Sequence, residues 1–102
     1  VSQNKQLCTP ASVDSIVSIN GQEDHVSMGA NAATKLLRVI ENTKNVLAIE
    51  WLCAIGALNQ REEKSSPEIE KMRASFAELG PNIHQTTPMQ ELIEKAYAFL
   101  WG

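Results

Sequence analysis

The stretch ANAATKLLRVIENTKNVLAIEWLCAIGALNQ, residues 30–60, decides the fold. It holds no proline, and its single glycine is Gly56. Apolar residues recur at Ala33, Leu37, Ile40, Leu47, Trp51, Ala54 and Leu58, a four-three-four spacing in which Lys44 takes the one polar position. That is the period of one face of an α-helix. A second stripe, Leu36, Val39, Val46, Ile49, Cys53 and Ile55, widens the first. Between Val46 and Leu58 only Glu50 and Gly56 interrupt the apolar residues. A helix that is apolar nearly all round is buried nearly all round. Cys53 is accordingly expected to be a small buried hydrophobe.

Two shorter helices are predicted downstream, over about 67–79 and 88–100. Ser65-Ser66-Pro67-Glu68 supplies a serine cap, a proline for the first helical position and an early acid. Leu79-Gly80-Pro81 reads as the stop. Thr87-Pro88-Met89-Gln90 has the Thr-x-x-Gln form of a capping box. The segment before residue 30 contains Pro10, Asn20-Gly21 and Gly29 and has no sustained helical period, so it reads as loop or extended chain. A helix is expected to begin somewhere between Gln22 and Ser27. The fold class is all-α: one long helix and two short ones after an irregular N-terminal segment.

Size adds a constraint. A helix of this length measures roughly 45 Å at 1.5 Å per residue. A compact domain of 102 residues has a diameter of roughly 33 Å. The long helix therefore exceeds its own domain and is expected to be part of a larger helical bundle, buried by other chains or by further parts of the same one. The competing expectation is a helix broken at Gly56 that closes into a self-contained bundle. The chain opens on Val1 rather than Met, as a processed chain or a fragment would.

Composition narrows the functions. Twelve acidic against nine basic residues give a net charge of −3, which disfavours binding to a phosphate backbone. The longest apolar run, Val46 to Leu58, is 13 residues and carries Glu50, whereas a membrane span needs roughly 20. Two cysteines, Cys8 and Cys53, make no disulfide framework. With no export signal visible, the expected compartment is the cytoplasm. His25, His84 and the cysteines show no metal-ligand spacing, so no metal is expected. Ser12, Ser15, Ser18 and Ser27 lie near Asp24 and His25, but nearness in sequence does not make a triad, and such serines serve turns and caps. Trp51 and Trp101 read as core or interface residues.

One cluster concentrates polar chemistry: Gln22-Glu23-Asp24-His25-Val26-Ser27-Met28-Gly29. From spacing alone it is also what a helix N-terminus looks like, with acids answering the dipole and a serine cap.

Ser12-Val13-Asp14-Ser15-Ile16, then Gln22 to Gly29, then Arg38-Val39-Ile40-Glu41-Asn42 and Val46-Leu47-Ala48-Ile49-Glu50 on the long helix, together resemble the aromatic amino acid ammonia-lyase family, and within it the enzymes acting on histidine. The resemblance is close over residues 9–60 and looser in the tail. It implies a mostly helical chain of about five hundred residues whose long helices form the centre of a homotetramer, of which this chain would be the C-terminal fifth. Residues 1–29 would then be an active-site loop segment and residues 30–102 helical scaffold. The implied reaction is elimination of ammonia from histidine to give urocanate. The implied electrophile is 4-methylideneimidazole-5-one, formed from an internal Ala-Ser-Gly. The implied pocket residue is Glu23, where the phenylalanine and tyrosine enzymes usually carry glutamine. Gln22 and His25 would orient the loop and its hydrogen bonds. A carboxylate at position 23 suits histidine because it accepts a hydrogen bond from an imidazole N–H.

The departures from the family pattern are equally specific. Ala11-Ser12 is followed by Val13 and Ala74-Ser75 by Phe76, so the electrophile cannot form from this chain. The family's tyrosine loop and carboxylate-binding arginine are absent, and Val17-Ser18-Ile19-Asn20-Gly21 replaces a segment that commonly reads Pro-Thr-Ser-Ala-Asn. The partners implied are a small amino acid, the remainder of an ammonia-lyase chain and other copies of it. The chain alone is expected to be inactive. The alternatives are a non-catalytic helical interaction module derived from the family, or a piece of a phenylalanine or tyrosine ammonia-lyase or aminomutase.

Overall fold

The computed structural model describes residues 1–22, 25–79 and 87–102. Glu23, Asp24, His84 and the Gly80-Pro81 stop lie outside the described residues. Among those described, the regular elements are α1 (Ser2–Leu7), α2 (Gly29–Asn59), α3 (Pro67–Glu78) and α4 (Met89–Trp101), with 3-10 turns at Ala11–Asp14 and Ile19–Gly21. The chain is all-α, and the three longer helices lie within about two residues of the bounds expected from periodicity and punctuation.

Helix α2 is 31 residues long, about 46 Å at 1.5 Å per residue. It runs unbroken through Gly56, where an added Cβ would meet nothing within 4 Å. The break expected by the self-contained alternative is absent because one glycine costs a helix only about 1 kcal/mol, and buried Leu52 and Ile55 anchor the turn beside it.

The chain divides into two compact units, Val1–Thr43 and Lys44–Gly102. In the first, α1 is fixed to α2 by polar contacts. Asn42 Nδ2 donates to Gln3 Oε1 and to Asn4 Oδ1, each at 2.7 Å, and Lys35 Nζ donates to the Thr9 carbonyl at 2.8 Å. Helix α1 has no periodic sign in the sequence: six residues with Leu7 as the only large apolar one are too few to register a period. No described residue of this unit is buried.

The second unit holds the core: Ala48, Leu52 and Ile55 of α2, Phe76 of α3, and Leu92 and Ala96 of α4. Three aromatic rings close it. Trp51 meets Phe76 edge-on at 6.0 Å and stacks on Phe99 at 5.8 Å, and Phe76 lies 5.1 Å from Phe99. Cys53 is exposed rather than buried. It sits one position from Leu52 and two from Ile55, on the side of α2 that neither α3 nor α4 covers.

The start of α3 follows its sequence signal: Ser66 is the cap, its hydroxyl accepting from Ile69 N–H at 3.4 Å, with Pro67 leading the helix. Glu70 Oε1 accepts from Ser65 N–H at 3.0 Å, and Arg73 spans Glu70 Oε2 at 3.5 Å and Asn59 Oδ1 at 2.7 Å, tying α3 to the end of α2. Helix α4 departs from the expected capping box. Its cap is Pro88, without a side-chain bond, one residue beyond Thr87. Gln90 Nε2 donates forward to Glu94 Oε1 at 3.0 Å. Pro88, at φ −56° and ψ 131°, holds the extended geometry of a cap by itself, its carbonyl accepting from Glu91 and Leu92 N–H.

Candidate functional site

Of the polar cluster, Gln22 and the residues from His25 to Met28 lie ahead of α2, outside any helix. Helix α2 begins at Gly29 and has no acidic residue in its first turn. Glu23 and Asp24, the acids on which the dipole reading rests, lie outside the described residues.

The loop is built from the 3-10 turn upward. Val13 N–H donates to the Pro10 carbonyl and Ser15 N–H to the Ser12 carbonyl, both at 3.2 Å. Ser15 then turns extended, at φ −60° and ψ 141°. The tip reverses at Asn20 (φ 53°) and Gly21 (φ 82°), two successive left-handed residues. Asn and Gly are the residues that adopt that region at least cost. Gly21 N–H donates to the Ser18 carbonyl at 3.1 Å across the tip. At the base, Ser15 Oγ accepts from Val26 N–H at 2.7 Å and donates to the Val26 carbonyl at 3.2 Å.

Gln22 and His25 both belong to this loop and both are exposed. Glu23, between them, lies outside the described residues. Beside them Val13, Ile16 and Val17 are each about two-thirds exposed. From the sequence Ser15 reads as one of several turn serines. Its eleven-residue reach to Val26 has no periodic signature, although it falls within the Ser12-Val13-Asp14-Ser15-Ile16 string that carried the family resemblance.

Among the described residues no cluster of His, Cys, Asp or Glu could hold a metal ion, and no helix is long and apolar enough to cross a membrane. The residues present do not fit the family's electrophile. Ala74-Ser75 lies inside α3, locked there by Phe76 at 1% exposure, and Ala11-Ser12 lies in the 3-10 turn before Val13. A groove of about 410 Å³ in the second unit, lined by Leu47, Trp51, Leu58, Ile69, Leu100 and Trp101 with Glu50, offers apolar surface rather than converging polar groups.

Known proteins resemble this chain closely. A family model described as aromatic amino acid lyase matches residues 1–78. Histidine ammonia-lyase of Halalkalibacterium halodurans is 44% identical over 101 residues, 98% of this chain and 20% of its own length. That of Natranaerobius thermophilus is 59% identical over 66 residues, 65% of this chain and 13% of its own length. The crystal structure of histidine ammonia-lyase from Trypanosoma cruzi superposes with a TM-score of 0.86 at 34% identity, over 97% of this chain and 20% of that one. The chain thus spans about a fifth of the length of relatives matched along nearly all of it. With most of its residues matched by the family model and with these identities, the chain belongs to the aromatic amino acid lyase family.

Proposed function

We propose that this chain is the C-terminal part of an enzyme that eliminates ammonia from L-histidine to give urocanate, to which it contributes a pocket glutamate and helices of the oligomer core. The observation that carries this reading is the loop string Gln22-Glu23-Asp24-His25 within a chain 44% identical to a histidine ammonia-lyase over 98% of its length. Glu23 is the residue assigned to the chemistry. A carboxylate there accepts a hydrogen bond from the substrate imidazole N–H, orienting the ring, and can hold or pass a proton as the β-carbon is deprotonated and the amine leaves. Gln22 and His25 flank it and orient the loop. The electrophile, 4-methylideneimidazole-5-one, activates the amine as a leaving group when present; its precursor residues belong to another part of the protein, and this chain alone is inactive.

The exposed apolar side chains support a place inside a larger assembly. Leu36, Leu37, Ile40, Val46, Leu47 and Ile49 of α2 are all between 42% and 67% exposed. Each unit thus leaves large apolar side chains in water, and exposed apolar surface is what interfaces are made of. We assign it to the helical centre of a cytoplasmic homotetramer.

The test is urocanate absorbance with histidine, comparing the full-length protein, its Glu23→Gln variant and this chain alone. The full-length protein should turn over histidine, and Glu23→Gln should lose about a hundredfold or more while still assembling as a tetramer. Turnover by this chain alone overturns the assignment of the electrophile to other residues. Unchanged kinetics in Glu23→Gln remove Glu23 from the site. Activity on phenylalanine or tyrosine instead of histidine moves the substrate, and none on any of them leaves a helical interaction module.

A further inference from the structure

One hydroxyl closes the loop that carries Gln22 and His25. Ser15 Oγ both accepts from Val26 N–H, at 2.7 Å, and donates to the Val26 carbonyl, at 3.2 Å. A serine hydroxyl has one donor and two acceptor sites, so a single side chain can satisfy both backbone groups of one residue. Ser15 and Val26 are both half-buried, where leaving a backbone group unpaired is costly. Val26 is the residue directly after His25, so the bond fixes the backbone on the C-terminal side of His25. The other constraint is at the tip, where Asn20 and Gly21 reverse the chain. The Ser15 proton is committed to a carbonyl oxygen, and no described base faces it, so the hydroxyl is not an activated nucleophile.

We propose that Ser15 is a positioning residue of the ammonia-lyase site: its hydroxyl clamps Val26 and thereby sets the alignment of His25, the residue before it, in that site. This rests on the reading of the chain as part of a histidine ammonia-lyase. Misplacing a group that acts in the transition state lowers kcat, and displacements of about 1 Å can cost about a hundredfold.

The experiment uses the full-length protein with histidine as substrate. Ser15→Ala should lower kcat about 10- to 100-fold with little change in KM and with the oligomer intact. Ser15→Thr keeps the hydroxyl, and the extended backbone at position 15 suits a β-branched residue, so it should recover most of the lost rate. Hydrogen exchange at the Val26 amide should quicken in Ser15→Ala and stay slow in Ser15→Thr. Wild-type kcat in Ser15→Ala overturns the assignment, as does unchanged Val26 exchange in that variant. A wild-type protein inactive on histidine overturns the underlying reading and this assignment with it, whereas an active wild type with an unaffected Ser15→Ala variant overturns this assignment alone.

Discussion

Helix α2 has two halves that differ in how much of their apolar surface is buried. Up to Thr43 none of its large apolar side chains is buried: Val39 is half-buried, and Leu36 is 59% exposed, Leu37 67% and Ile40 44%. From Lys44 onward Ala48, Leu52 and Ile55 are buried against Phe76, Leu92 and Ala96. The cause is what lies beside each half. α3 and α4 bring apolar stripes to the second, while α1 brings Gln3 and Asn4 to the first and meets it through Asn42. A hydrophobic pattern therefore states that a face will be buried and leaves open what buries it. The first half keeps its apolar surface, each square ångström of which would stabilise a contact by roughly 25 cal/mol.

The sharpest way to break this contrast is to empty the covered half. Phe76 is 1% exposed and touches both Trp51 and Phe99. Phe76→Ala should cost about 3–5 kcal/mol, the range for truncating a buried aromatic residue, read as a shift of the urea midpoint. Alanine is the better helix former, so the loss reports packing alone. A cost below about 1 kcal/mol would mean that the second unit has no more of a core than the first.

What could be read from the sequence follows the same divide. The bounds of α2, α3 and α4 were legible because a 3.6-residue period and Ser-Pro or Gly-Pro punctuation are local signals. Burial at single positions was not: Cys53 shares the second stripe with Ile55, yet it is exposed while Ile55 is buried, because the stripe is wider than the face two short helices cover. The cap of α4 moved from Thr87 to Pro88 because proline supplies the cap geometry without a hydroxyl. At the site, the strings around Ser15 and Gln22–His25 are the ones that carry the family resemblance. The Ser15–Val26 clamp stayed invisible, since a contact eleven residues apart in irregular chain obeys no period.

A smaller effect tests the junction into the covered half. Ser66 caps α3 through one exposed bond of 3.4 Å to Ile69 N–H. Ser66→Ala should cost about 0.5–1 kcal/mol, the low end for an N-cap, read as a lower Tm by far-UV circular dichroism. Glu70 still accepts from Ser65 N–H in the variant, and Pro67 has no N–H to leave unpaired, which keeps the loss small. A cost as large as that of Phe76→Ala would place the stability of this unit in its turns rather than in its core.

The smallest effect belongs to the uncovered half, and it carries the most information. Leu37 is 67% exposed, so Leu37→Ala in this chain should change stability by no more than about 0.5 kcal/mol. The same substitution in the full-length protein should cost about 2–5 kcal/mol if the rest of the assembly buries that face. Urea midpoints for the pair of proteins measure both values. A large cost in this chain alone would mean that the face is already covered, as a second copy would cover it. In that case the midpoint must rise with protein concentration, because association with the folded state stabilises it by mass action. A small cost in both proteins would leave Leu36, Leu37 and Ile40 facing water even in the assembly, and the length of α2 would need another cause than a shared helical core.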